Sequence, residues 1–124
     1  MDIRYKKDFS LKKVQSHSAA VLEASDFDGT NSVTVFKLPE NVIITRAILM
    51  PKDNPNTVNL TVRAGTDTVL NAKSSIASTT EVKTMHYSTG INISIQPSAA
   101  VTTGSVILVI DYMEYSLATG TQTN

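Results

Sequence analysis

Apolar residues in this chain recur at every second position through several short stretches. That spacing puts one face of an extended strand toward a core and the other toward water. Val58, Leu60 and Val62 alternate with Asn59, Thr61 and Arg63, and Ile91, Ile93 and Ile95 alternate with Asn92, Ser94 and Gln96. Val33 to Leu38, Thr68 to Ala72 and Glu81 to Tyr87 read as further strands. Ala19 to Ala24 has a composition that a helix would also accept. Its brevity and the turn-forming Ser25-Asp26-Phe27-Asp28-Gly29 that follows favour a strand. In Val42 to Met50, simple alternation puts Val42, Ile44, Arg46, Ile48 and Met50 on one face and Ile43, Thr45, Ala47 and Leu49 on the other. Pro51 and Pro55 are expected to end that ladder in a loop over residues 51–56. Lys73 to Thr80 is polar and serine-rich and reads as a second loop.

The segment Ser105 to Ser116 departs from the simple rule. One face carries Val106, Leu108, Ile110 and Tyr112; the other carries Ile107, Val109, Asp111, Met113 and Tyr115. Both faces begin apolar, so the strand needs cover on both sides. If the first face meets the core, Ile107, Val109, Met113 and Tyr115 form an apolar stripe outside it, which usually marks an interface. These four are the candidate contact residues of the body. A partner, a second copy, the chain's own N-terminal arm or a loop could supply the cover.

About eight short strands with turn signals between them, and no long amphipathic helix, predict an all-β fold. The expected architecture is an antiparallel β-sandwich, jelly-roll-like. Its expected parts are an N-terminal arm over residues 1–17, a sandwich over 18–117 and a flexible tail over 118–124. The 124 residues suit one core, and no internal repeat or domain boundary is visible.

Charge changes the picture at one end. Residues 1–13 hold five basic side chains against two acidic, a net of +3; the remainder holds six basic against nine acidic, a net of −3. Arg4, Lys6 and Lys7 lead this basic arm and are the second group of candidate contact residues. Asp2 and Asp8 interrupt it and no nucleic-acid recognition motif accompanies it, so an ordinary solvated or partner-docked terminus is expected in preference to phosphate binding. The longest aliphatic run is five residues and the N-terminus lacks an apolar signal core, so no membrane segment is expected. Tryptophan is absent and aromatics are 6%, which counts against ring-stacking sugar or base platforms. The chain has no cysteine, so disulfides and thiolate chemistry are excluded.

Three patterns tempt a catalytic reading. Asp26-Phe27-Asp28-Gly29-Thr30 matches the DxDGT signature of haloacid-dehalogenase-type phosphatases, but the all-β surroundings supply no α/β domain for it to open. A turn built on Asp and Gly is the simpler reading. The same residues with Asn31 could offer oxygens to calcium, yet Gly29 comes too early for an EF-hand and no glutamate closes the loop. His17 and His86, the only histidines, do not make a metal site without adjacent carboxylates. No catalytic residue, cofactor or metal is expected.

Phe36-Lys37-Leu38-Pro39-Glu40-Asn41-Val42-Ile43-Ile44-Thr45-Arg46-Ala47, followed by Leu60-Thr61-Val62-Arg63-Ala64-Gly65-Thr66, resembles small structural proteins of tailed-phage virions. The resemblance covers residues 33–67. It implies a β-sandwich capsid decoration (cement) or minor head protein and carries over no catalytic residue. The expected function is therefore a non-enzymatic accessory capsid subunit that stabilises a phage head. The expected partners are the major capsid protein or another virion protein, and further copies in a homo-oligomer. The expected location is the virion, assembled in the host cytoplasm. A receptor- or glycan-binding module of a fibre or tail is the alternative.

Overall fold

The computed structural model describes residues 12–116. Eight strands form two four-stranded antiparallel sheets. The strands are β1 (Lys12–Glu23), β2 (Val33–Leu38), β3 (Val42–Asp53), β4 (Asn59–Ala64), β5 (Asp67–Ser74), β6 (Thr79–Tyr87), β7 (Ile91–Pro97) and β8 (Ser105–Ser116). A single 3-10 turn, Ala24–Asp26, follows β1. The first sheet has the order β1-β8-β3-β6 and the second β2-β7-β4-β5. Every connection except β4–β5 passes from one sheet to the other, so the expected antiparallel β-sandwich is the observed fold.

The core lies between the sheets. β8 contributes Val106, Leu108 and Ile110, β3 contributes Val42, Ile44, Ala47 and Leu49, and the second sheet answers with Leu60, Val62, Ile93 and Ile95. Each such side chain, fully withdrawn from water, stabilises the fold by about 1.5–3 kcal/mol. β8 pairs over its whole length with Lys12 to Glu23 on one side and, from Ser105 to Glu114, with Val42 to Asp53 on the other.

Three expectations need correction. β1 begins at Lys12, so residues 12–17, expected in the arm, belong to a strand. Five of the six are polar, but each lies opposite a residue of β8, from Lys12 opposite Ser116 to His17 opposite Asp111. Arg4, Lys6 and Lys7, and the tail over 118–124, lie outside the described residues.

The second correction concerns β3, which does not stop before Pro51. It continues to Asp53, with Pro51 opposite Val106. Its pairing with β6 ends at Leu49, opposite Thr79, so Pro51 sits where the strand has one neighbour and a missing N–H is tolerated.

Third, β3 does not keep one face throughout. The register shifts between Ile44 and Arg46 against both neighbours: against β8 the extra residue is Thr45, a β-bulge of β3, and against β6 the extra residue lies on β6, where Lys83 and Thr84 face the single Thr45. Val42 and Ile44 face the core before it; Ala47 and Leu49 do so after it. Arg46, Ile48 and Met50 are turned to the outside.

Candidate functional site: the outer face of the first sheet

The bulge at Thr45 and the alternation of β8 together build one surface. Cross-strand neighbours on the outer face fall into rows. Val21, Ile107 and Met50 form one, and Ala19, Val109 and Ile48 form the next. His17, Asp111 and Arg46 follow, with Val82 of β6 beside Arg46. Gln15, Met113, Ile43 and His86 complete the set. Val21 is 47% exposed and Val82 80% exposed, so no described residue covers the ends of these rows. Ile107, Val109, Met113, Ile43, Ile48 and Met50 are half-buried, shielded by one another along and across the strands.

The polar members of this surface are tied to each other. Arg46 and Asp111 form an ion pair, with Nη2 2.5 Å and Nε 2.7 Å from the same carboxylate oxygen. The Thr45 hydroxyl donates to the Asp111 carbonyl at 3.3 Å, holding the bulge against β8. Tyr115 and His86 meet through the phenol oxygen and Nε2, and their rings lie 5.5 Å apart at a tilt of 32°. That contact spans β3, so Tyr115 closes one end of the sheet as well as lining its face.

The outer face of the second sheet is of opposite character. Asn59, Thr61 and Arg63 of β4 and Asn92, Ser94 and Gln96 of β7 are exposed or half-buried. Arg63 donates to the Gln96 side-chain oxygen at 2.7 Å, and the Gln96 amide donates to the Thr30 carbonyl at 3.1 Å. A shallow cleft here is lined by Thr30, Asn59, Thr61, Ala72, Gln96, Pro97 and Ser98, none of them aromatic. The molecule thus has one apolar and one polar flank.

The acidic turn is locally committed. The Asp26 carboxylate accepts from the Glu23 N–H at 2.8 Å, and that of Asp28 from the Asn31 side-chain amide at 3.2 Å. Gly29 takes a φ of +58° between them. Among the described residues, no three His, Asp or Glu side chains gather as metal ligands would.

Of the residues proposed from sequence, Ile107, Val109, Met113 and Tyr115 fall together on the outer face of the first sheet. Sequence reasoning missed Ile48, Met50, Ile43, Val21 and Ala19 as members of that face. Val21 and Ala19 alternate with the buried Leu22 and could have been found by extending β1. Ile48 and Met50 could not, because nothing in the apolar run marks Thr45 as the bulge.

No protein-family model matches the sequence, and no curated protein matches it. The fold has solved counterparts. A chain from the acid-stable capsid structure of Helicobacter pylori bacteriophage KHP30 superimposes with a TM-score of 0.65 at 16% identity, over 87% of this chain and 96% of that one. A chain of the cyanophage Pam1 capsid asymmetric unit gives a TM-score of 0.51 at 18% identity, over 86% and 87%. At these identities the likeness is one of fold: the chain is built as a sandwich of a kind found in phage capsids.

Proposed function

We propose that the chain is a non-enzymatic structural protein of a bacteriophage virion, an accessory subunit that seats on the capsid and stabilises it. The observation that carries this reading is the contrast between the two flanks. The first sheet offers rows of Val, Ile and Met side chains, whereas the second offers amides and hydroxyls. A surface of the first kind gains free energy when it is covered, and one of the second kind is at home in water. The fold shared with the two capsid chains supports the virion setting, and the strand order supports the jelly-roll wind.

The partner in this reading is the major capsid protein or a neighbouring virion protein. The mechanism is adhesion by area: the apolar flank lies against the shell and the polar flank faces out. Arg4, Lys6 and Lys7 would add charge-assisted contacts from the arm. Quantitative mass spectrometry of purified particles tests the assignment. A copy number comparable with that of the shell subunit is expected. A few copies per particle would point to a fibre or tail, and absence from particles would refute the reading.

A further inference from the structure

We propose that β1 is a homodimerisation edge, along which a second copy of this chain adds its own β1 antiparallel and joins the two first sheets into one continuous sheet. The observation is a difference among the four sheet edges. Exposed edges invite pairing with other chains, and folded proteins blunt them with bulges, short strands, prolines or charges. β2 has six residues and a register shift between Thr34 and Phe36. β5 has two register shifts and Ala72 at a φ of +43°. β6 carries Glu81 and Lys83 and a register shift against β3. Among the described residues, β1 has no bulge, no proline and no short length to blunt it, and its charges lie only at its two ends. It runs for twelve residues in unbroken register with β8 and contains no glycine.

Its sequence also fits a second copy of itself. Around a two-fold axis perpendicular to the sheet and centred on Ser18, Lys13 of one copy falls opposite Glu23 of the other. In the same register Val14 falls opposite Leu22, His17 opposite Ala19, and Ser18 opposite Ser18. Opposed residues in an antiparallel pair share a face, so the charged pair lies on one face, with Gln15 opposite Val21, and the Val14–Leu22 pair lies on the other, with Ser16 opposite Ala20. A two-fold interface of this kind forms each contact twice. The proposal concerns the edge of the sheet and does not depend on what its outer face contacts.

The test is a charge exchange read by sedimentation equilibrium of the full chain. The unaltered protein is expected to dimerise. Lys13→Glu alone and Glu23→Lys alone each place like charges opposite one another twice, and each should weaken the dimer about tenfold. The double variant should restore it, with melting temperatures showing that all forms are folded. Ser18→Cys should in addition form an interchain disulfide on oxidation, since opposed residues lie within disulfide reach and no other thiol competes. A chain that stays monomeric at every concentration would overturn the proposal, as would a double variant no tighter than the singles. Dimerisation only after removal of residues 1–11 would also overturn it, and would assign the edge to the chain's own N-terminal segment.

Discussion

Arg46 and Asp111 are paired on the outer surface of the first sheet because Thr45 bulges out of β3. Were Thr45 an ordinary strand residue in place of a bulge, alternation from Ile44 would carry the Arg46 guanidinium into the core. With the bulge, Arg46 reaches Asp111, and Ala47 and Leu49 turn inward to join Val42 and Ile44. Inserting one residue between Arg46 and Ala47 should therefore abolish cooperative folding, since Ala47 and Leu49 would then present the wrong face. Thr45→Ala keeps the bulge and removes its hydrogen bond to the Asp111 carbonyl, at a cost of about 1 kcal/mol. Denaturant titration of both variants distinguishes the two effects.

Gly104 is required by the approach of two backbone segments at the start of β8. It has a φ of +75°, and a Cβ placed on it would lie 2.0 Å from the Asp53 carbonyl oxygen. Its own carbonyl accepts from the Ala24 N–H at 3.0 Å. Gly104→Ala forces this junction apart and should destabilise by about 3 kcal/mol or more, combining overpacking with backbone strain. A fall in the urea midpoint with an unchanged slope is the expected readout.

Ser75 is buried and joins the start of β4 to the end of β5. Its hydroxyl donates to the Asn56 carbonyl at 2.6 Å and accepts from the Val58 N–H at 3.0 Å. Ser75→Ala leaves both backbone groups without that partner and should cost about 1–3 kcal/mol. Hydrogen exchange should show the loss at the Val58 amide first.

Stability should decline at alkaline pH through Tyr87. Burial, and then the hydrogen bond its hydroxyl donates to Asp67 at 2.8 Å, hold the Tyr87 phenol well above its ordinary value of 10.0. Above that value the unfolded chain loses the proton while the folded one keeps it, so stability falls as pH rises. Tyr87→Phe should have a flatter stability profile above pH 10.0 than the unaltered protein, measured by urea unfolding across that range.

Much of this architecture was legible from alternation. The inward sets Val58, Leu60, Val62 and Ile91, Ile93, Ile95, and the two faces of β8, follow from a period of two acting on a half-buried sheet. What escaped was set by partners and not by local sequence. Residues 12–17 are polar apart from Val14 and join the sheet because β8 supplies a partner for each, ending with Ser116 opposite Lys12. Pro51 remains in β3 because β6 has already ended. The bulge at Thr45 has no signature in an apolar run, so the outer face looked narrower from sequence than it is. Ile107 and Val109 mark its centre, while simple alternation puts Ile48 and Met50 on the same face as Val42 and Ile44, from which the bulge separates them.

The central claim, that the apolar flank seats on the shell, is tested most directly by the composition of particles assembled with paired variants. Ile107→Glu with Val109→Lys alters the first sheet's outer face, and Thr61→Glu with Ser94→Lys alters the second's. Both proteins should fold, because the changes leave the buried face of each strand intact. The measurement is the amount of each variant retained on purified particles after gradient sedimentation. The account predicts that the Ile107/Val109 variant is lost from particles while the Thr61/Ser94 variant is retained at the unaltered level. Retention of the first, or loss of the second alone, would contradict it.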